Sequence, residues 1–166
     1  MQNIEMYLRE FRDSDLSDVD LFASDPDVVR YLSWGPNTID QTKDWLTNQA
    51  ITNPQRHYTV VEDNHVIGCG EIRLEGDAAY ITYILAKPWW GRGLGKRLLG
   101  LLVDKAISME CKCMYAASDI ENVASVRIIE SDSNFKRTKE EEYMLKGQPR
   151  KRIWYRRSLD DPIIQS

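Results

Sequence analysis

Cysteine, histidine and long apolar runs are all scarce in this chain of 166 residues. Its three cysteines, Cys69, Cys111 and Cys113, cannot all pair. A chain of this length buries roughly two-thirds of its unfolded surface in one core and needs no disulfide framework, so reduced thiols are expected. Cys111-Lys112-Cys113 is not a CxxC pair, and His57 and His65 stand at no ligand spacing to it, so no metal site is expected. Cys69 sits between Gly68 and Gly70 in an apolar stretch and reads as a small buried thiol. The longest apolar stretch, residues 98–103, is interrupted by Gly100 and falls far short of the roughly 18 residues that a membrane helix needs. Met1-Gln2-Asn3-Ile4-Glu5 shows no basic and then apolar leader pattern, so a cytoplasmic location is expected.

What the chain does contain is an ordinary globular mixture. With 42% hydrophobic and 29% charged residues it is neither collagenous, nor coiled coil, nor disordered. The net charge of -4 averages unlike regions. Lys87, Arg92, Lys96 and Arg97 are the only charges between Ala78 and Val103, and six basic residues stand without an acid between Lys146 and Leu159. The remainder holds 12 basic against 26 acidic residues, an acidic body suited to a cationic partner. The tract 150–157 is rich in arginine and invites a nucleic-acid reading, but its strand pattern and the overall acidity favour an exposed hairpin.

Periodicity and punctuation predict the element order β-α-α-β-β-β-α-β-α-β-β. A strand over 6–11 leads to a helix over about 16–24, capped within Asp13-Ser14-Asp15. Asp25-Pro26 opens a further short helix through Tyr31 and Leu32, broken by Trp34-Gly35-Pro36. Thr38 and Gln41 form a capping box for a helix over 39–53. Strands follow at 57–62 and 66–74 around an Asp63-Asn64 turn, then at 79–85. Leu94, Leu98, Leu101, Leu102 and Ile107 mark the core face of a long helix. A strand over 112–118, a helix over 123–131 and a hairpin of 142–146 with 152–159 complete the chain.

A strand running into Gly91-Arg92-Gly93-Leu94-Gly95 and then a helix describes an anion site, because the first amides of a helix have no partner within it. Trp90 and Arg97 stand where a Walker loop needs glycine and Ser or Thr, and the spacing fails the dinucleotide fingerprint. The segment from Tyr83 to Gly95 instead resembles the pyrophosphate loop of the GCN5-related N-acetyltransferase superfamily, (Gln/Arg)-x-x-Gly-x-(Gly/Ala). Trp90, at the Gln/Arg position, resembles the Trp-Gly-(Lys/Arg)-Gly form of the ribosomal-protein-alanine acetyltransferase branch. Asn122-Val123-Ala124-Ser125 followed by Glu130 and Phe135 looks like the same branch's Asn-x-x-Ser...Glu-x-x-Gly-Phe pattern, with Asn134 in place of the glycine.

That resemblance implies one N-acetyltransferase domain over 1–166, an α/β fold with a mixed, largely antiparallel central sheet, and acetyl-CoA as co-substrate with no metal. It implies transfer to a primary amine, a protein N-terminus or a small molecule, by direct attack in a ternary complex. It leaves a homodimer open and calls for neither membrane nor nucleic acid. An acyl-CoA-binding module without turnover is the alternative. The amides of Arg92, Gly93, Leu94, Gly95 and Lys96 would cradle the pyrophosphate, with Arg92, Lys96 and Arg97 as nearby cations. Ile84, Leu85 and Ala86 would pair with pantetheine, and the Leu85 amide would polarise the thioester carbonyl. Asn122 would hold a pantetheine amide or cap its helix, and Ser125 would assist the leaving thiolate. An amine near pKa 10.4 needs a base, and Glu71, mid-strand after Gly68-Cys69-Gly70, is the leading candidate. Trp34 lies where this branch forms its acceptor cleft; Tyr80 and Tyr83 share a strand but face opposite ways.

Overall fold

The structure, a computed structural model, describes residues 5–159. Seven strands form one sheet in the order β1-β2-β3-β4-β5-β7-β6. They are β1 (Met6–Arg9), β2 (His57–Glu62), β3 (His65–Glu75), β4 (Ala78–Leu85), β5 (Cys113–Asp119), β6 (Lys136–Leu145) and β7 (Gln148–Ser158). The helices are α1 (Leu16–Ala23), α2 (Ile39–Trp45), α3 (Leu94–Ser108) and α4 (Val123–Glu130). Every neighbouring pair of strands is antiparallel except β4 and β5. The α/β class and the element order agree with the sequence reading.

The pleat of β3 explains the two layers on its faces. Gly70 and Ile72 look toward α3, where a Cβ on Gly70 would come within 2.9 Å of Leu102 Cδ2. Leu94, Leu98, Leu99, Leu102, Val103 and Ala106 form the buried stripe of α3 on that side. Cys69 faces the other way and packs against the second cluster, built on Phe11, Val19, Phe22, Leu46 and Ala50.

β4 and β5 pair only through Ala78–Tyr80 and Cys113–Tyr115. Beyond that point β4 keeps β3 as its partner and β5 keeps β7, so the sheet splits into two arms. The candidate site described below lies along this split.

Four local expectations need correction. Residues 25–32 form turns rather than a helix: the Asp25 carboxylate accepts from Asp27 N at 2.9 Å, and the amides of both Val28 and Val29 converge on Asp25 O. That local pairing competes with a helical ladder. Asp13–Asp15 is a 3-10 turn, and the Asp15 side chain turns back to Arg12 N and to Arg9, at 2.8 and 2.9 Å, rather than capping α1. The Thr38–Gln41 box is present, but α2 passes at Leu46–Ala50 into a π-helical turn and stops short of residue 53. β6 begins at Lys136, six residues before the expected start, because a solvent-facing edge strand such as Lys-Arg-Thr-Lys-Glu-Glu-Glu carries no apolar alternation.

The turn segment over 24–38 is tied to both arms of the split. Lys87 Nζ meets Asp27 Oδ2 at 2.5 Å, Lys146 Nζ donates to Val29 O at 3.0 Å, and the Tyr31 hydroxyl donates to Glu121 O at 3.3 Å. The basic tract of β7 is also engaged within the fold: Arg150 with Asp119 and Glu121, Arg152 with Glu141, and Arg157 with Asp132.

Candidate active site

The site has a loop half and a cavity half, joined by the free end of β4. In the loop half, Ala86 N donates to Ile67 O at 2.7 Å. Antiparallel pairing alternates, so Ile84 and Ala86 turn their backbone groups toward β3, while Tyr83 and Leu85 turn theirs into the split. Leu85 O does face outward, since it accepts from Trp90 Nε1 at 2.8 Å. Trp90 thus fastens the loop to the end of the strand. Of the three residues expected to offer backbone groups here, Leu85 is the one the ladder leaves facing the split.

Gly91 and Gly93 have φ of +74° and +75°, and a Cβ on either would meet nothing within 4 Å. Backbone conformation, not lack of space, is what calls for glycine at both. Gly93 is the N-cap of α3 and offers no side-chain acceptor, and the first turn of the helix holds no acid. The amides of Leu94, Gly95 and Lys96 therefore stand at the positive end of a 15-residue helix without a competing anion. The Arg92 guanidinium lies 5.0 Å from the centre of the Trp89 ring. Arg97 is drawn away toward Glu62, at 3.4 Å. Gly95 has a different reason: its Cβ would come within 2.4 Å of Ile128 Cδ1, so the bare helix lets α4 approach.

α4 brings Asn122 and Ser125 to the split. Asn122 Oδ1 caps the helix by accepting from Ser125 N at 3.3 Å. Ser125 Oγ lies 3.3 Å from the Tyr83 hydroxyl. Burial pushes the Tyr83 phenol up to about 12, with the Ser125 contact working weakly against it, so it stays protonated at neutral pH.

The cavity half has a volume of about 800 Å³ and lies on the opposite face from α3. Trp34, Glu71, Tyr83 and Ile84 line it, as do Cys69, His57, Tyr80 and Tyr143. Glu71 is the mid-strand partner of both His57 and Thr82, with its Oε2 3.0 Å from Arg56 Nε and 3.8 Å from His57 Nδ1. Tyr80 stacks on Tyr115 at 4.9 Å beneath Arg73. Burial first, and the Glu71 charge second, push the Cys69 thiol up to about 12, which leaves it no thiolate to act as a nucleophile. The far wall is fixed by Asp119, which accepts from the Tyr143 hydroxyl at 2.5 Å and from Arg150 Nη2 at 3.0 Å.

Glu71, Trp34 and Ile84 thus share one cavity, and Tyr83 links it to Ser125. Leu85, Ala86, Asn122 and the loop from Arg92 to Lys96 lie outside the cavity lining. Sequence reasoning missed His57 and the Tyr143–Asp119–Arg150 group. Nothing in an isolated histidine, or in an acid and a base separated by more than twenty residues, marks such contacts in advance.

Comparison with known proteins places this geometry. The Acetyltransferase (GNAT) domain family model matches residues 5–131. An uncharacterized N-acetyltransferase p20 of Bacillus licheniformis is 27% identical over 133 residues, spanning 72% of this chain and 75% of the relative. A GNAT-family acetyltransferase of known structure from Bacillus anthracis superposes with a TM-score of 0.85 at 17% identity, covering 96% of this chain and 98% of that one. The RimL ribosomal alpha-N-protein acetyltransferase, solved in complex with coenzyme A, superposes with a TM-score of 0.81 at 18% identity and covers 96% of both chains. With the family pattern running through the split sheet, the glycine loop and the start of α4, the chain belongs to the GNAT acetyltransferase family.

Proposed function

We propose that this chain transfers the acetyl group of acetyl-CoA to a primary amine by direct attack in a ternary complex, within a single domain. The observation that carries this reading is the split between β4 and β5: it opens toward an uncapped helix start on one face and toward the Glu71 cavity on the other. The residues fit the co-substrate. The acid-free first turn of α3, with Arg92 and Lys96 beside it, suits a pyrophosphate, and the outward backbone of Leu85 suits an amide-bearing arm. Bound there, acetyl-CoA supplies an activated thioester carbonyl.

The chain's own groups then divide the work. With acetyl-CoA bound, the Leu85 amide would donate to the thioester oxygen, a contact worth about 3 kcal/mol where such donors have been removed. Asn122 keeps its amide nitrogen for pantetheine while its oxygen caps α4. Ser125, with the protonated Tyr83 phenol beside it, is a proton source for the departing sulfur. Glu71 attracts the cationic acceptor and stands at the step that removes its proton. Trp34 forms part of the acceptor wall. RimL, by its name, acts on a ribosomal protein's α-amine, and an N-terminal peptide is accordingly one candidate acceptor.

Two measurements test the reading. Acetyl-CoA should raise the melting temperature, and Gly93→Asp should abolish the shift by setting a carboxylate against the phosphates. Thiol release should appear with at least one of spermidine, kanamycin, or peptides beginning with Ala or Ser. An intact shift in Gly93→Asp would put the co-substrate elsewhere. A shift without thiol release from any acceptor would make the chain a binding module.

A further inference from the structure

We propose that His57 is the base that takes the proton from the acceptor amine, with Glu71 as its charge partner. The proposal rests on the acetyl-transfer reading and names the group at its proton step. His57 and Glu71 are cross-strand partners on the cavity face of β2 and β3, and both line the cavity. The imidazole is held edge-on by Trp45, with ring centres 5.5 Å apart, and its Nδ1 lies 3.8 Å from Glu71 Oε2. The residue as a whole is only 7% exposed. Even so, neither ring nitrogen makes a hydrogen bond. Neither is sealed off either: among the described residues the one fully enclosed side-chain polar atom without a partner is Glu62 Oε2. A packing histidine ordinarily satisfies its nitrogens against the protein. This one leaves them open to the cavity where the acceptor would enter.

Chemistry favours the imidazole over the carboxylate. Glu71 Oε2 is already engaged by the Arg56 guanidinium, at 3.0 Å. An ammonium near pKa 10.4 gives its proton more readily to an imidazole, ordinarily near 6.5, than to a carboxylate near 4.3. The charged groups that face His57 are Glu71 from β3 and Arg56 from the preceding loop; α2 and its π turn present Trp45 and Gln49, which do not titrate. Burial lowers the imidazole's pKa, Glu71 raises it and Arg56 lowers it, with a net downward shift. The neutral base is therefore the form present at pH 7, and it is lost as pH falls through the lowered value.

The step balances. An ammonium N–H bond breaks and its proton bonds to a His57 nitrogen. The freed lone pair forms the C–N bond to the acetyl carbon, and the C–S bond breaks with its electron pair on sulfur. The new amide nitrogen sheds a second proton and the thiolate takes one up, so one proton is released per turnover.

The test uses the full chain and the most active amine of the panel above. His57→Gln should lower kcat by about 10²–10⁴-fold while the acetyl-CoA melting shift and KM stay unchanged. Free imidazole should restore part of the turnover of His57→Gly. Glu71→Gln should keep measurable turnover and move the acid limb of kcat/KM to lower pH, because the imidazolium loses its partner. His57→Gln with full turnover, a loss in His57→Gly that imidazole leaves untouched, or Glu71→Gln abolishing turnover would each overturn the proposal. A wild-type chain silent with every amine would instead overturn the transfer reading on which it rests.

Discussion

One methyl group at Gly68 tests the link between close strand approach and the site. A Cβ there would stand 2.0 Å from Ile84 O, 3.0 Å from Ile84 C and 3.1 Å from Leu85 Cα, all of them backbone atoms. Gly68 lies opposite Leu85, so no side chain can rotate aside to make room. Reaching an ordinary C···O contact of roughly 3.3 Å means moving β4 by about 1.3 Å. Overpacking of this kind costs about 1–3 kcal/mol, and rigid backbone on both sides puts Gly68→Ala at the upper end. For a chain of this size that lowers Tm by about 6–12 °C. Folding survives at 25 °C, but a misplacement of about 1 Å at the Leu85 amide costs on the order of 10²-fold in turnover. Thermal unfolding with and without acetyl-CoA, alongside thiol release, reads both effects. Gly91→Ala is the control, since its methyl meets nothing within 4 Å and bears only the strain of φ +74°, about 1–2 kcal/mol. A Gly68→Ala chain melting within 2 °C of the wild type, with its acetyl-CoA shift intact, would refute the reasoning.

Three further outcomes are expected. Gly95→Ala should destabilise by about 1–3 kcal/mol, and adding Ile128→Val, which removes the atom 2.4 Å from the new Cβ, should recover part of it; strict additivity in denaturant titrations would count against the contact. Trp90→Phe keeps a ring but removes the donor to Leu85 O, so KM for acetyl-CoA should rise several-fold with Tm changed by less than about 2 °C; an unchanged KM would show that the loop needs no such fastening. Asp15 and Asp119 both have pKa values below their ordinary 3.8: burial alone would raise them, but Arg9 and Arg12 N for the first, and Arg150, Tyr143 and Glu121 N for the second, more than offset it. Their stabilisation is complete above pH 3.8 and is lost as pH falls through the lowered values, so Asp119→Asn should flatten the acid limb of a stability profile; an unchanged slope would contradict the assignment.

The fold was legible wherever a residue's role depends on its near neighbours. The Thr38–Gln41 cap, the stripe of α3 and the glycines before it are set by contacts within a turn or two. What resisted reading depends on distant partners. The Asp63-Asn64 turn pairs Glu62 with His65, and an unbroken ladder from there would set His57 opposite Gly70. A bulge between Val60 and Val61 shifts the register by one, so that Glu71 meets His57 instead. No local pattern announces that slip, and it decides which two side chains share the cavity. Residues 25–32 failed for a related reason: Asp25-Pro26 is a fair helix start, but Val29 is fully buried and the segment is fastened by Lys87, Lys146 and Glu121.

Those three fastenings make the segment between Ser24 and Thr38 a cassette with its sockets on the host. An acid at 27 answers the lysine after β4, a carbonyl at 29 answers the lysine at the hairpin turn, and a phenol at 31 answers the carbonyl before α4. A loop transplanted from a relative would seat only if it brought all three plugs at the same spacing. Trp34, which faces the cavity, is none of them. On the acetyl-transfer reading proposed above, substitutions at the positions between the plugs should change acceptor preference while the attachment itself stays fixed.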